Sequence, residues 1–142
     1  MVITSTAFEN RGFIPSKYTC DGANVSPPLV IGDIPEGTQS LVLVVDDPDA
    51  IGTWDHWIVW DIPVRNKIEE NSIPGTEGMN SSNKHSYGGP CPPSGTHRYF
   101  FKIYALDLKL SLKPNLRKKD VENAMKGHIL ATGQLMGKYK RK

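Results

Sequence analysis

The sequence predicts a mainly β protein, a β-sandwich with one short helix near the C-terminus. Three observations lead there. Ser40–Val45, Thr53–Ile62 and His97–Ala105 combine strand length with β-branched and aromatic residues. Proline and glycine clusters punctuate the chain between them. Only Lys118–Lys126 carries an apolar stripe of helical spacing. Many strands, frequent turn signals and one helix suit a sandwich. The 142 residues fit a single domain spanning 1–142, long enough to bury one core without staples.

Val2–Ala7 and Leu29–Ile31 are the weaker strand candidates, separated by Cys20-Asp21-Gly22 and Ser26-Pro27-Pro28. Ser40–Val45 (SLVLVV) is continuously apolar, which predicts a strand covered on both faces. It runs into Asp46-Asp47-Pro48-Asp49, where Pro48 stops it. In Thr53–Ile62, strict alternation puts His56, Ile58 and Trp60 on one face and Trp57 and Val59 on the other. Arg65–Lys84 reads as a long polar loop. Tyr87–Gly95 (YGGPCPPSG) holds three glycines and three prolines in nine residues, so it is neither helix interior nor central strand. His97, Tyr99, Phe101 and Ile103 then share one strand face. In the helix, Val121, Ala124 and Met125 form the stripe and Gly127 supplies the C-terminal stop. His128–Tyr139 reads as a last strand because Gly133 and Gly137 argue against helix.

Composition excludes several function classes. A formal net charge of +2 and the lack of a basic stripe interleaved with aromatics argue against nucleic acid. The one basic cluster, Lys138–Lys142, reads as a solvated terminus. No apolar run reaches the length of a membrane span, and the N-terminus lacks a leader pattern. The expected location is therefore cytoplasmic, with Cys20 and Cys91 as reduced thiols.

The chemistry-bearing residues gather at strand ends. Asp46, Asp47 and Asp49 follow one strand, His56 opens the second, and His97 and Tyr99 open the third, just after the Gly-Pro loop. Loops at one end of a sandwich cluster, so these groups are candidates for one pocket walled by that loop. Each residue also has a structural explanation. A histidine at a strand start is more often a satisfied structural side chain, DPD is a common turn composition, and Tyr99 fits a core whose hydroxyl meets a carbonyl.

The segments DDPDA (46–50), GTWDHWIVWDIP (52–63) and YGGPCPPSGTHRYFFKIYALD (87–107) resemble the phosphatidylethanolamine-binding protein family, in its bacterial and archaeal Raf-kinase-inhibitor-like branch. YTCDGANVSPPL and AMKGHILATGQLMGKY extend the resemblance over almost the whole chain. It implies a large central antiparallel sheet and a small anion pocket that accepts phosphate-like groups. By motif match Asp47, His56, His97 and Tyr99 are pocket residues, with Pro92 and Pro93 on its rim. Asp49, Trp54, Tyr87, Gly88, Gly89 and Pro90 stand around or behind them. Two departures bear on the rim. Ile51 replaces the proline that usually ends the family's DPDAP, and the link between the first two motifs is short. No counterpart of the helix that partly covers the pocket in animal members follows Tyr139, so a more open mouth is expected. A homodimer is implied by resemblance alone.

The leading functional reading is a non-enzymatic module binding a phosphate or carboxylate group, with Asp47 holding an imidazole in the tautomer that points its other N–H at the ligand. It needs no cofactor and no metal. Two alternatives stand beside it: an inhibitor of a protease or kinase acting through surface loops such as Asn66–Lys84, and a hydrolase using the Asp/His pocket. A serine elbow of GxSxG type is missing. A Cys91–His pair remains among the enzyme options.

Overall fold

A computed structural model describes Met1–Lys142. The eight strands are β1 (Val2–Thr4), β2 (Leu29–Gly32), β3 (Ser40–Asp47), β4 (Trp54–Ile62), β5 (Lys67–Ile68), β6 (Thr76–Glu77), β7 (His97–Leu106) and β8 (Ile129–Tyr139). The helix α1 (Lys118–Met125) precedes β8. They form a three-stranded sheet, β1-β2-β5, and a five-stranded sheet, β6-β4-β3-β7-β8, with every pair antiparallel. The predicted sandwich with a large central sheet is therefore the observed fold.

Burial explains why β3 reads as an unbroken apolar run. Leu41, Leu43 and Val45 join Ile3, Leu29, Ile31 and Phe101 in the core between the sheets. Val42 and Val44 join Ile58, Trp60, Val121 and Met125 in a second core under α1. The central strand thus has apolar cover on both sides, and all eight of its residues are buried.

α1 begins where predicted, and the Asp120 carboxylate accepts the Arg117 backbone N–H at 3.0 Å. Gly127 takes φ +80°, the left-handed conformation a helix stop favours. The segment expected to be loop, Arg65–Lys84, contains β5 and β6. At two residues each they are too short to display any period, and their pairing with β2 and β4 comes from tertiary position. Ile51 brings no cis bond, since every peptide is trans, and its side chain projects fully into solvent.

Candidate functional site

The end of the large sheet opens into a cavity of about 580 Å³. Asp47, His56, His97 and Tyr99 all line it, together with Pro92, Pro93, Gly88 and Gly89 from the Gly-Pro loop. Asp49, Ala50, Ile51 and Trp54 form the opposite rim. Tyr87 and Pro90 lie behind the wall. The Tyr87 hydroxyl donates to the Tyr18 carbonyl at 2.7 Å, and the Pro90 carbonyl accepts the Cys20 N–H at 3.1 Å. Asn80 and Ser82 also reach the cavity, although their segment carried no signal beyond its polarity.

Strict alternation would have placed His56 away from this cavity. Ile58 and Trp60, its expected face-mates, pack under α1, whereas Tyr99 belongs to the core between the sheets. The register shows what intervenes. Val45 pairs with Trp57 and Asp46 with Asp55, so His56 is the extra residue of a β-bulge. A bulge re-aims a side chain. His56 comes to stand edge-on to Tyr99, with ring centroids 5.3 Å apart.

The bulge is pinned from both sides. Lys118, the first residue of α1, holds the Asp55 carboxylate at 2.8 Å. The Asp55 N–H donates to the Ser81 hydroxyl at 2.8 Å. The His56 carbonyl accepts the Gly88 N–H at 3.1 Å and the Asn80 side-chain amide at 3.3 Å.

Both imidazoles spend Nδ1 on the protein. His97 Nδ1 lies 2.6 Å from Asp47 Oδ2, and His56 Nδ1 lies 2.7 Å from the Gly88 carbonyl. Both partners are acceptors, so each Nδ1 carries the proton. A neutral ring then has only a lone pair at Nε2. Asp47 was expected to leave an N–H of the neutral ring pointing at a ligand. Its hydrogen bond does the opposite, because the one proton of neutral His97 already goes to Asp47. Only the imidazolium can donate at Nε2. Tyr99 has the complementary shortage: its hydroxyl is buried and has no partner in the protein. Burial, with the Asp47 and Asp49 charges, pushes the phenol well above its ordinary range, so it remains a donor.

No lysine or arginine lines the cavity. Arg98, at the strand start, is spent on Asp49, with Nε and Nη2 at 2.9 and 2.8 Å from the carboxylate. That hydrogen bonding holds the Asp49 carboxyl down to about 2. Lys102 and Lys118 bind Asp46 on the far face of the sheet.

The cysteines correct an expectation. Cys20 and Cys91 form a disulfide with Cα atoms 5.4 Å apart. A separation of 71 residues in the chain carries no information about distance in space. The expected thiols rested on the inferred compartment alone. The bond ties the pocket wall, at Cys91, to the loop that follows Tyr18. Gly89 helps seat that wall, since a Cβ there would collide with the Tyr18 carbonyl and Asn24 Oδ1.

His56 gives a stability prediction. Burial lowers its pKa in the folded state. Below about 6.5 the unfolded chain binds a proton that buried His56 resists. This contribution is therefore complete above that value and is lost as pH falls. Urea unfolding at pH 8 and pH 5 should show a smaller acid loss for His56→Asn than for the parent. Equal losses would mean that burial of His56 does not penalise its charge.

This architecture, a two-sheet sandwich with a histidine- and aspartate-lined cavity at one end of the larger sheet, defines a recognisable class. The family model for the phosphatidylethanolamine-binding protein matches residues 4–140, and the chain belongs to that family. A UPF0098 protein of Methanothermobacter thermautotrophicus is 46% identical, with 99% of each chain covered. The crystal structure of CT736 from Chlamydia trachomatis, titled a homologue of that family, superposes with a TM-score of 0.96 at 42% identity, covering 99% of this chain and 97% of that one. Escherichia coli YbcL, described as a member of the mammalian family, gives 0.90 at 29% identity, covering 99% and 98%.

Proposed function

We propose that the protein is a binding module for a small anionic group, a phosphate or carboxylate, and acts in regulation through that ligand or a protein partner. The observation that carries this reading is the buried, unpartnered Tyr99 hydroxyl beside two imidazoles whose free atoms are Nε2. An anion accepts from Tyr99 and from whichever ring is protonated. Asp47 compensates the charge on His97 from behind.

Binding is then linked to proton uptake. The anion favours the imidazolium, so histidine pKa values are higher in the complex than in the free site. Affinity should fall as pH rises through those values. Sulfate keeps a fixed charge there, which makes it the probe for calorimetry from about pH 5 to pH 9. His97→Ala should cost about 1–3 kcal/mol of affinity, the range for a hydrogen bond to a charged group. A flat pH profile, unchanged in His97→Ala and His56→Ala, would refute the reading.

One observation favours a second reading. A carboxylate 2.6 Å from an imidazole with a free Nε2 is also a general-base arrangement. The disulfide removes Cys91 as a nucleophile, which leaves water or a substrate hydroxyl to be activated. Turnover of a phosphoester or ester panel, lost in His97→Ala, would favour the enzyme. Inhibition of a protease or kinase would instead use the segment Asn66–Lys84, and a stoichiometric partner in an interaction screen is its test. A homodimer is part of the proposal and is checked by sedimentation. No helix is long and apolar enough to cross a membrane. A cytoplasmic location remains proposed. It fits the disulfide best in a cytosol that tolerates such bonds, as those of hyperthermophiles do.

A further inference from the structure

We infer that Lys140, Arg141 and Lys142 form, with the far side of the pocket wall, a second anion site, and that the two sites together take one small molecule carrying two or more phosphate-like groups. This rests on the anion reading of the main cavity and extends it to the class of ligand.

The placement follows from strand register. Tyr139 pairs with His97 across β7 and β8, so the chain leaves β8 at the same sheet end as the pocket histidines. The three basic residues then border a separate cavity of about 340 Å³. Its other lining is Pro92, Pro93, Ser94 and Gly95. Pro92, Pro93 and Ser94 line the main cavity as well. One wall therefore has a histidine pocket on one side and a cationic groove on the other.

Two features separate this groove from an ordinary frayed end. Its root is held: the Tyr139 hydroxyl donates to Asp21 at 2.5 Å, and Arg141 Nε lies 3.5 Å from the same carboxylate. The shared wall is also held, by two prolines and the Cys20–Cys91 bond beside them. Charge supplies the third argument. The main cavity has no lysine or arginine of its own, and the nearby Arg98 is committed to Asp49. Lys140 and Lys142 have no carboxylate within ion-pair distance. Two uncommitted lysines, with Arg141 paired to Asp21 beside them, thus stand across the wall from a pocket that has no lysine or arginine. A ligand with one anionic group would use the histidines alone, whereas one with several would reach over the wall.

The test uses inorganic phosphate and inorganic tripolyphosphate as probes, measured by calorimetry at fixed pH and ionic strength. The parent protein should bind tripolyphosphate at least about tenfold more tightly than phosphate, the factor one charge-assisted hydrogen bond carries. The triple variant K140A/R141A/K142A should lose that advantage and keep its phosphate affinity. In a His97→Ala background the same tail changes should matter much less, because a bridging ligand needs both ends. Phosphate binding that depends on His97, with tripolyphosphate indifferent to the tail, would overturn the second site and leave the main pocket standing. Failure of both probes to bind, in parent and variants alike, would overturn both. A tail effect of equal size with and without His97 would mean unlinked attraction and overturn the bridging ligand. Tighter binding of a single-stranded oligonucleotide than of tripolyphosphate would overturn the small-molecule class.

Discussion

Replacing both Cys20 and Cys91 with serine is expected to lower the unfolding free energy by about 4 kcal/mol. The bond closes a loop of 71 residues, and the entropy that such a cross-link removes from the unfolded chain grows with the logarithm of loop length. Urea unfolding of the double variant against the oxidised parent measures it directly. A loss below about 1 kcal/mol would show that the bond does not restrict the unfolded chain as this model requires. The effect on the pocket should be local. Hydrogen bonds already hold Tyr87, Gly89 and Pro90 to the segment from Tyr18 to Asn24. Without the bond, the part set free is Cys91–Thr96, the wall between the two cavities. Anion affinity should therefore fall in the folded variant, and tripolyphosphate should suffer more than phosphate.

Phe101→Ala is expected to cost about 3–5 kcal/mol, the range for an aromatic removed from a packed core. Phe101 is fully buried on the inter-sheet face, between Val45 of β3 and Leu135 of β8, with the Phe8 ring 5.7 Å away. His97→Ala on the same face should cost less, about 1–3 kcal/mol, because the loss is one hydrogen bond to a buried carboxylate. Asp47 Oδ1 still accepts the Asp49 N–H at 2.8 Å, and the His97 side chain, 12% exposed, borders a cavity that water can enter. Equal costs in thermal and urea unfolding would make His97 a core residue and weaken its assignment to the pocket.

The longer strands, the helix and the sandwich were legible in the sequence because their signals are local. The apolar run of β3, the alternation His97-Tyr99-Phe101-Ile103 and the stripe ending at Gly127 each depend on residues a few positions apart. The gathering of Asp47, His97 and Tyr99 followed from the same logic, since β3 and β7 pair directly and their loops share an end.

Tertiary structure alone decided four matters, each through a long-range neighbour. The motif resemblance names His56 as a pocket residue, but what carries it there, against the strand's alternation, is the one residue by which β4 exceeds β3 at that point, and a bulge is a property of two paired strands. The short strands β5 and β6 exist because partners lie beside them. Cys20 and Cys91 are bonded because the fold brings residues 71 apart to within 5.4 Å at the Cα atoms. The proton on each histidine is set by Asp47 and the Gly88 carbonyl, one 50 residues from its ring and the other 32. Side-chain type and period are written in the chain. Which acceptor meets which nitrogen depends on register and packing, and these exist only once the sheets have formed.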